Sequence, residues 1–309
     1  MKLAPAHLCA ALTFSAAALV LPASAIAQAV AVDAAYVKTV KDWRTRAEQS
    51  LRRDDGWLTL AGRYVLKPGE NRFGTAPTND IVFPKGLGPA GMGSIFVEPG
   101  KEVRVKLVEG YKMKADDGEF TERVMGTSVE KRDWVRNGRT TFHIIERNGR
   151  YVLRLADNEN DVRKNFAGRV WYEVDDNYRI PATYVAYDTP RKIAIVNVLD
   201  EVSDEVAPGY VEFLVNGRPY RLDAVGDDEG LFFVFKDKTA GETTYAPGRF
   251  LYVEKKPKSG ERFTLDLNRA YNPPCAFSEF TTCPLPPKQN ILPVRVEAGE
   301  KYPPAKKSG

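Results

Sequence analysis

Between residues 33 and 53, apolar side chains recur at three- and four-residue intervals: Tyr36, Val40, Trp43, Ala47 and Leu51. That spacing puts them on one face of an α-helix, with Lys41, Arg44, Arg46 and Glu48 on the other. Asp33 stands where an N-cap would accept a free backbone N–H of the first turn. The pattern predicts a helix over Asp33–Arg53 that docks its apolar stripe on the rest of the protein. The stripe is too thin to favour a membrane-surface helix.

From Trp57 onward the period shortens to two. Val103, Val105 and Leu107 alternate with Glu102, Arg104 and Lys106, and Tyr151, Leu153 and Leu155 alternate in the same way. Phe142 and Ile144 share one face of a strand, His143 and Ile145 the other. Longer apolar runs at Ile193–Leu199, Tyr210–Val215 and Leu231–Phe235 predict more deeply buried strands. Asn137-Gly138, Asn148-Gly149 and Asn216-Gly217 each separate strand-like runs and predict tight antiparallel hairpins. No stretch alternates strand with crossover helix. The fold class is mainly β: an N-terminal helix over 28–56, a β-sandwich over 57–156 and a second antiparallel β-domain over 157–300. Residues 301–309, with two prolines and three lysines, read as a flexible tail. The polar run Asp157-Asn158-Glu159-Asn160-Asp161 reads as a solvated turn at the boundary. It only imitates a calcium loop, because Val162 and Gly168 stand where glycine and the bidentate glutamate belong.

Composition fits this architecture and excludes several classes. The 309 residues, 43% hydrophobic and 28% charged, suffice for one large or two modest domains. Lys plus Arg number 45 against 41 Asp plus Glu, a net charge of +4. So slight an excess leaves no electrostatic footprint for nucleic acid. The N-terminus reads as a secretory signal peptide over 1–27: Lys2, an apolar run from Leu8 to Leu21, then Ala25-Ile26-Ala27 before Gln28. The run is short for a membrane anchor, and no later segment of the mature chain could cross a bilayer as a helix. An exported protein, periplasmic or secreted, follows. Removing residues 1–27 removes Cys9 and leaves Cys275 and Cys283. In an oxidising compartment this pair predicts a local disulfide, with two buried thiols as the alternative. A zinc site lacks a spacing signature, since His143 is the sole mature histidine. No metal and no cofactor are implied.

The last third carries recognisable text: Tyr245-Ala246-Pro247-Gly248-Arg249-Phe250, then Leu265-Asp266-Leu267-Asn268-Arg269-Ala270-Tyr271-Asn272-Pro273-Pro274-Cys275. Thr282-Cys283-Pro284-Leu285-Pro286-Pro287, Asn290-Ile291-Leu292-Pro293 and Ala298-Gly299-Glu300-Lys301 follow. This stretch resembles the bacterial family catalogued as domain of unknown function 1684. Trp43-Arg44, Asp55-Gly56-Trp57-Leu58 and Asn79-Asp80-Ile81 look like the same family. The resemblance implies a mainly β, often exported protein and delivers no activity. Lys67-Pro68-Gly69-Glu70-Asn71-Arg72-Phe73-Gly74 and Asn79–Pro84 also look like the opening strands of a forkhead-associated β-sandwich. The phosphothreonine-reading residues of that family do not carry over: Thr75 follows Gly74, and no histidine lies between 75 and 142.

Candidate chemistry concentrates where that text is densest. No G-x-S-x-G elbow, P-loop or dinucleotide fingerprint occurs, and any Ser-His-Asp triad would have to use His143, whose strand context favours a structural role. Asp237, Thr239, Thr244, Tyr245 and Arg249 surround one loop, and Asp266, Asn268, Arg269, Tyr271 and Asn272 follow the next strand. The residue types suit a ligand: carboxylates for acid–base work, arginine for an anion, tyrosine for stacking. They equally suit a structural network that holds irregular loops. Three readings follow: a binding protein for a small polar or anionic ligand, a hydrolase using Asp237 or Asp266 as acid or base, and an envelope interaction module without a pocket. The first ranks highest, and it requires Asp237, Arg249, Asp266 and Arg269 to converge. None of these features specifies an oligomeric state.

Overall fold

The computed structural model describes residues 32–98, 102–128, 131–147, 149–226 and 229–302. The signal peptide, Cys9, Asn148 and residues 303–309 lie outside the described residues. The N-terminal helix α1 spans Ala34–Leu51, and the Asp33 side chain caps it by accepting from Ala35 N at 2.9 Å. Of its apolar stripe, Val40 and Leu51 are fully buried. The chain then turns back sharply. A Cβ at Gly56 would lie 2.3 Å from the Leu51 carbonyl oxygen, so only glycine passes there.

The first half is a sandwich. One sheet has six strands in the order Leu60–Val65, Arg150–Asp157, Thr140–Arg147, Val135–Asn137, Met113–Ala115, Gly118–Phe120. The other has five, in the order Ile81–Val82, Gly69–Gly74, Gly93–Val97, Arg104–Leu107, Glu122–Val124. Phe142, Ile144, Leu153 and Leu155 of the six-stranded sheet meet Phe73, Ile95 and Val105 of the five-stranded one in a shared core. The alternation seen in the sequence is therefore the pleat: one face of each strand points to this core.

In the second half, Arg218–Ala224, Val202–Val215, Arg179–Val196 and Arg262–Asp266 form an antiparallel sheet in that order. Leu231–Phe235 pairs with Arg249–Val253, and Val170–Trp171 with Glu300–Lys301. Ile180, Val211, Leu222, Phe233, Leu251 and Leu265 share the core of this half. The hairpin at Asn216-Gly217 joins Val215 to Arg218, which face each other in register. Both loop residues have positive φ, 51° and 73°, which suits the primed turn that matches strand twist. Lys301 and Tyr302 were expected in a loose tail, but they belong to the fold. Lys301 pairs with Val170, and the Tyr302 ring packs edge-on against Tyr245 with centroids 5.0 Å apart. Near the sandwich end, Asp157 is nearly buried and paired with Arg139, while the Asn160 side chain caps the short helix Asp161–Lys164. Among the described residues no helix is long and apolar enough to cross a membrane.

Candidate functional site

The four charged residues expected to converge form two separate pairs. Asp237 follows the strand Leu231–Phe235, and Arg249 opens the strand that pairs with it, opposite Phe235. Arg249 Nη2 lies 2.8 Å from Asp237 Oδ2, and both side chains are 1% exposed. The same guanidinium donates to the carbonyls of Val296 and Ala298 and lies over the Phe235 ring. Asp237 Oδ1 accepts from Thr239 N, Thr239 Oγ1 and Val296 N at 2.9, 2.6 and 3.1 Å. The hydroxyl groups of Thr239 and Thr244 are 2.8 Å apart. Two opposite charges and their hydrogen bonds thus lock the loop after residue 236 onto the segment 296–298. Each charge is neutralised in place, as burial demands. Asp237, Thr239, Thr244 and Arg249 are buried and hold structure, and none of them lines the cleft under α1.

A second buried pair lies nearby. Arg169 Nη1 reaches Glu300 Oε2 at 2.7 Å, and the backbone N–H of Asn272 donates to the same oxygen at 2.8 Å. Asn272 is buried and donates through Nδ2 to Lys301 O. Burial pushes the Glu300 carboxyl up to about 7, against the pull of Arg169 and of the Asn272 N–H. The Arg169 guanidinium also lies over the rings of Phe277 and Trp171, at 4.9 and 5.9 Å. Neither Arg169 nor Glu300 stands out in the sequence. They meet only because Val170–Trp171 and Glu300–Lys301, 130 positions apart, pair as strands (300 − 170). The fragment Arg169-Val170-Trp171, a cation beside an indole, is the one signal that could have pointed to this wall.

Asp266, Arg269 and Tyr271 do line a cleft, and α1 forms its other wall. The cleft has a volume of about 650 Å³, and Leu251, Val253 and Thr264 form part of its lining. From α1 come Tyr36 and Trp43, and from the second half come Arg169 and Arg179. The Tyr36 hydroxyl donates to Asp266 Oδ1 at 2.7 Å and accepts from Asn268 Nδ2 at 3.0 Å. Buried Asn268 also donates to Asp175 O, so it ties α1 to the loop. The Arg179 guanidinium stacks over the Tyr36 ring at 4.0 Å. Trp43 stands edge-on to Trp171 and Tyr271, with centroid separations of 5.7 and 6.2 Å. The stripe that docks α1 thus also lends the cleft its aromatic side.

Electrostatics give the cleft its character. Burial and the Asp266 carboxylate raise the Tyr36 phenol well above its usual range, and burial pushes Tyr271 up to about 12. Both are neutral hydroxyl groups at ordinary pH. The charged lining is Arg169, Arg179 and Arg269 with Asp266 and Glu254, and each arginine has a carboxylate beside it: Glu300 for Arg169, Asp176 for Arg179 and Asp266 for Arg269. Arg269 Nε lies 3.2 Å from Asp266 Oδ2, but without hydrogen-bond geometry. The Nε–H groups of Arg169 and Arg269 are both buried with no acceptor among the described residues. Such a wall can take an anionic group on the guanidinium edges and a planar group against the rings.

The remaining sequence candidates lie beside the cleft. Half-buried Tyr245 donates to Cys275 O at 3.0 Å. Cys275 and Cys283 form a disulfide with a Cα separation of 6.1 Å, which holds the loop that carries Phe277. His143 lies outside the cleft, packed at a tilt against Trp134 with ring centroids 4.1 Å apart, and burial plus the charges of Arg132 and Arg154 hold its imidazole down to about 3. Among the described residues, no group of three His, Cys, Asp or Glu side chains is placed to hold a metal ion.

A mainly β chain whose second half is pinned by buried ion pairs beside an arginine-lined cleft defines the class. The chain belongs to the family described as "Protein of unknown function (DUF1684)", whose model matches residues 164–301. The matched segment contains Arg169, Asp237, Arg249, Asp266, Arg269 and Glu300, whereas α1 lies outside it. An uncharacterized protein of Haloarcula marismortui, solved in solution by NMR, is 33% identical over 45% of this chain and 78% of that one, with a TM-score of 0.39. No curated protein matches.

Proposed function

We propose that the protein binds a small anionic ligand, one bearing a planar or ring-shaped part, in the cleft under α1. The observation that carries this reading is the pair of buried Nε–H groups of Arg169 and Arg269, neither with a hydrogen-bond acceptor among the described residues, in a cleft lined by three arginines. Buried donors without acceptors are costly, and an anion is the partner that repays two guanidiniums at once. The rings of Trp43 and Tyr271 supply the apolar part of the contact. Asp266 serves this reading as a positioning group, because its Oδ1 accepts from Tyr36 and Asn268 N, and its Oδ2 lies beside Arg269 without a hydrogen bond to it. Asp237 is fully bonded and buried, so hydrolysis gains no favouring geometry from either carboxylate.

The ligand test is a titration of the protein with small carboxylates, phosphate esters and sulfated sugars, followed by tryptophan fluorescence and melting temperature. One class should quench saturably and raise the melting temperature, and Arg269→Ala should lose both effects. Silence towards all three classes, or an unchanged response in Arg269→Ala, overturns the reading. Export belongs to the same proposal, with cleavage before Gln28. The leader pattern and the Cys275–Cys283 bridge support it. N-terminal sequencing of the protein recovered outside the cytoplasm should begin at Gln28, and a start at Met1 refutes it.

A further inference from the structure

The six-stranded sheet has a second face, opposite the sandwich core. Across it, three adjacent strands bring Arg63, Arg154 and His143 into one row. Arg63 stands opposite Arg154, and Arg154 opposite His143. Adjacent strands lie about 4.8 Å apart, so the row spans roughly 10 Å. Arg154 is 8% exposed and His143 4%. The Nε–H groups of Arg63 and Arg154 and the Nδ1 of His143 are buried without a hydrogen-bond partner among the described residues. Indoles flank the row: Trp57 lies 5.6 Å from the Arg154 guanidinium, and Trp134 packs at a tilt against His143, with ring centroids 4.1 Å apart.

The surrounding charges make this arrangement costly by itself. Burial, and then the fields of Arg147, Arg63 and Arg132, hold the Arg154 guanidinium down to about 10. The three charges that weigh most on it are all positive. Glu201, the carboxylate that feels Arg63, is committed to Arg150 and to Asn197 Nδ2. Arg147 has a hydroxyl partner, Thr282 Oγ1 at 3.3 Å. Arg132 lies over the Trp134 ring at 5.4 Å, and no ion pair reaches Arg63, Arg132 or Arg154 among the described residues. An uncompensated buried cation destabilises a fold unless something of opposite charge joins it. Guanidinium edges match the oxygens of phosphate in pairs, and four clustered cations favour a doubly charged ion over a singly charged one. Exposed Arg147 and the 39% exposed Trp57 leave an approach from solvent.

We infer that this face carries a second site, for a phosphate-type oxyanion, held by Arg154 and Arg63 with His143 as a further donor and Arg132 and Arg147 around it. Its arginines are not those of the cleft under α1, where Arg169 and Arg269 form the basic wall, although Trp57 borders both places. A free ion and the phosphate of a larger ester share the chemistry, and they differ in whether Trp57 and Trp134 gain a contact.

The test is thermal melting of the full chain in inorganic phosphate and in a phosphate monoester, each against chloride at matched ionic strength. Phosphate should raise the melting temperature saturably by several degrees. Arg154→Met, which removes the buried charge but keeps an apolar stem, should melt at or above wild type in chloride and show no saturable response to phosphate. Arg63→Gln, at a less buried position, should weaken the response at least tenfold in midpoint concentration and serves if Arg154→Met does not fold. In inorganic phosphate Arg269→Ala should respond as wild type does, which separates this site from the cleft, and the monoester is compared in the Arg269→Ala background, where the cleft does not respond. A larger response to the monoester, with a change in tryptophan emission, identifies an esterified ligand; equal responses identify the free ion. A wild-type response no larger than that in chloride, or an equal response in Arg154→Met or Arg63→Gln, overturns the inference.

Discussion

Arg249 and Asp237 face each other 2.8 Å apart with both side chains out of solvent, and both hold the segment 296–298: Asp237 accepts from Val296 N, and Arg249 donates to the carbonyls of Val296 and Ala298. The pair reinforces two segments 59 positions apart that also meet at Lys238 N with Val294 O and at Glu242 with Arg295. Breaking one partner strands the other. Arg249→Ala should therefore cost about 3–5 kcal/mol in urea unfolding, because a buried carboxylate is left unpaired. Combining it with Asp237→Asn should recover part of that loss, since the orphaned charge is gone. An Arg249→Ala protein as stable as wild type would mean that the loop is held without this pair, by its threonines, the Lys238 N–Val294 O bond and the Glu242–Arg295 pair.

The seating of α1 rests on Leu51 and Val40 more than on Trp43. Leu51 and Val40 are buried, whereas Trp43 is half-buried and borders the cleft. Leu51→Ala should cost about 2–5 kcal/mol, in line with other buried leucines. Trp43→Ala should cost less than Leu51→Ala and should change the ligand response of the cleft. Denaturant midpoints of the two variants, measured side by side, check the order.

How far the sequence reveals this molecule depends on the distance over which each interaction acts. The helix, the alternating strands and the Asn-Gly hairpins are local, so period and turn chemistry disclose them. Cys275 and Cys283 are eight positions apart, and their bridge is legible from that spacing together with the expected loss of Cys9. The loop cluster of the last third was legible as a set of polar residues. Its division was not: Asp237 and Arg249 face inwards to residues 296–298, while Asp266 and Arg269 face α1. That split depends on pairings such as Trp171 with Glu300 and Tyr36 with Asp266, which are more than 100 positions apart. Arg169 and Glu300 went unseen for the same reason. Lys301 and Tyr302 were misread because lysines and prolines near the chain end outweighed one short edge pairing.

The disulfide closes a short loop that packs Phe277 against Phe166, with ring centroids 5.9 Å apart, and under the Arg169 guanidinium. Its constraint on the unfolded chain is worth about 2–3 kcal/mol for a loop of this length. Reduction should lower the melting temperature by several degrees and weaken the cleft response, since Arg169 loses part of its bed. Unreduced protein should show no alkylatable Cys275 or Cys283 by mass spectrometry.

Glu300 sets a pH dependence whose sign can be worked out. Its carboxyl titrates at 4.5 in the unfolded chain and near 7 in the folded one, because burial outweighs Arg169 and the Asn272 N–H. Between those values the native protein holds a proton that the unfolded chain has released. The native state binds more protons, so stability falls as pH rises through the window. The contribution is fully present below 4.5, is lost by about 7, and amounts to something on the order of 3 kcal/mol at most. His143 acts in the opposite direction: its folded value near 3 makes stability fall as pH drops below 6.5. Raw stability curves mix the two, so the difference between a variant and wild type is the useful quantity. Glu300→Gln keeps an oxygen for Arg169 and Asn272 and removes the titration. Its stability relative to wild type should be level below pH 4.5, climb between 4.5 and 7, and level off again above. A difference that stays flat across this range would show that Arg169 keeps Glu300 ionised in the fold, and that the pair is an ordinary buried salt bridge.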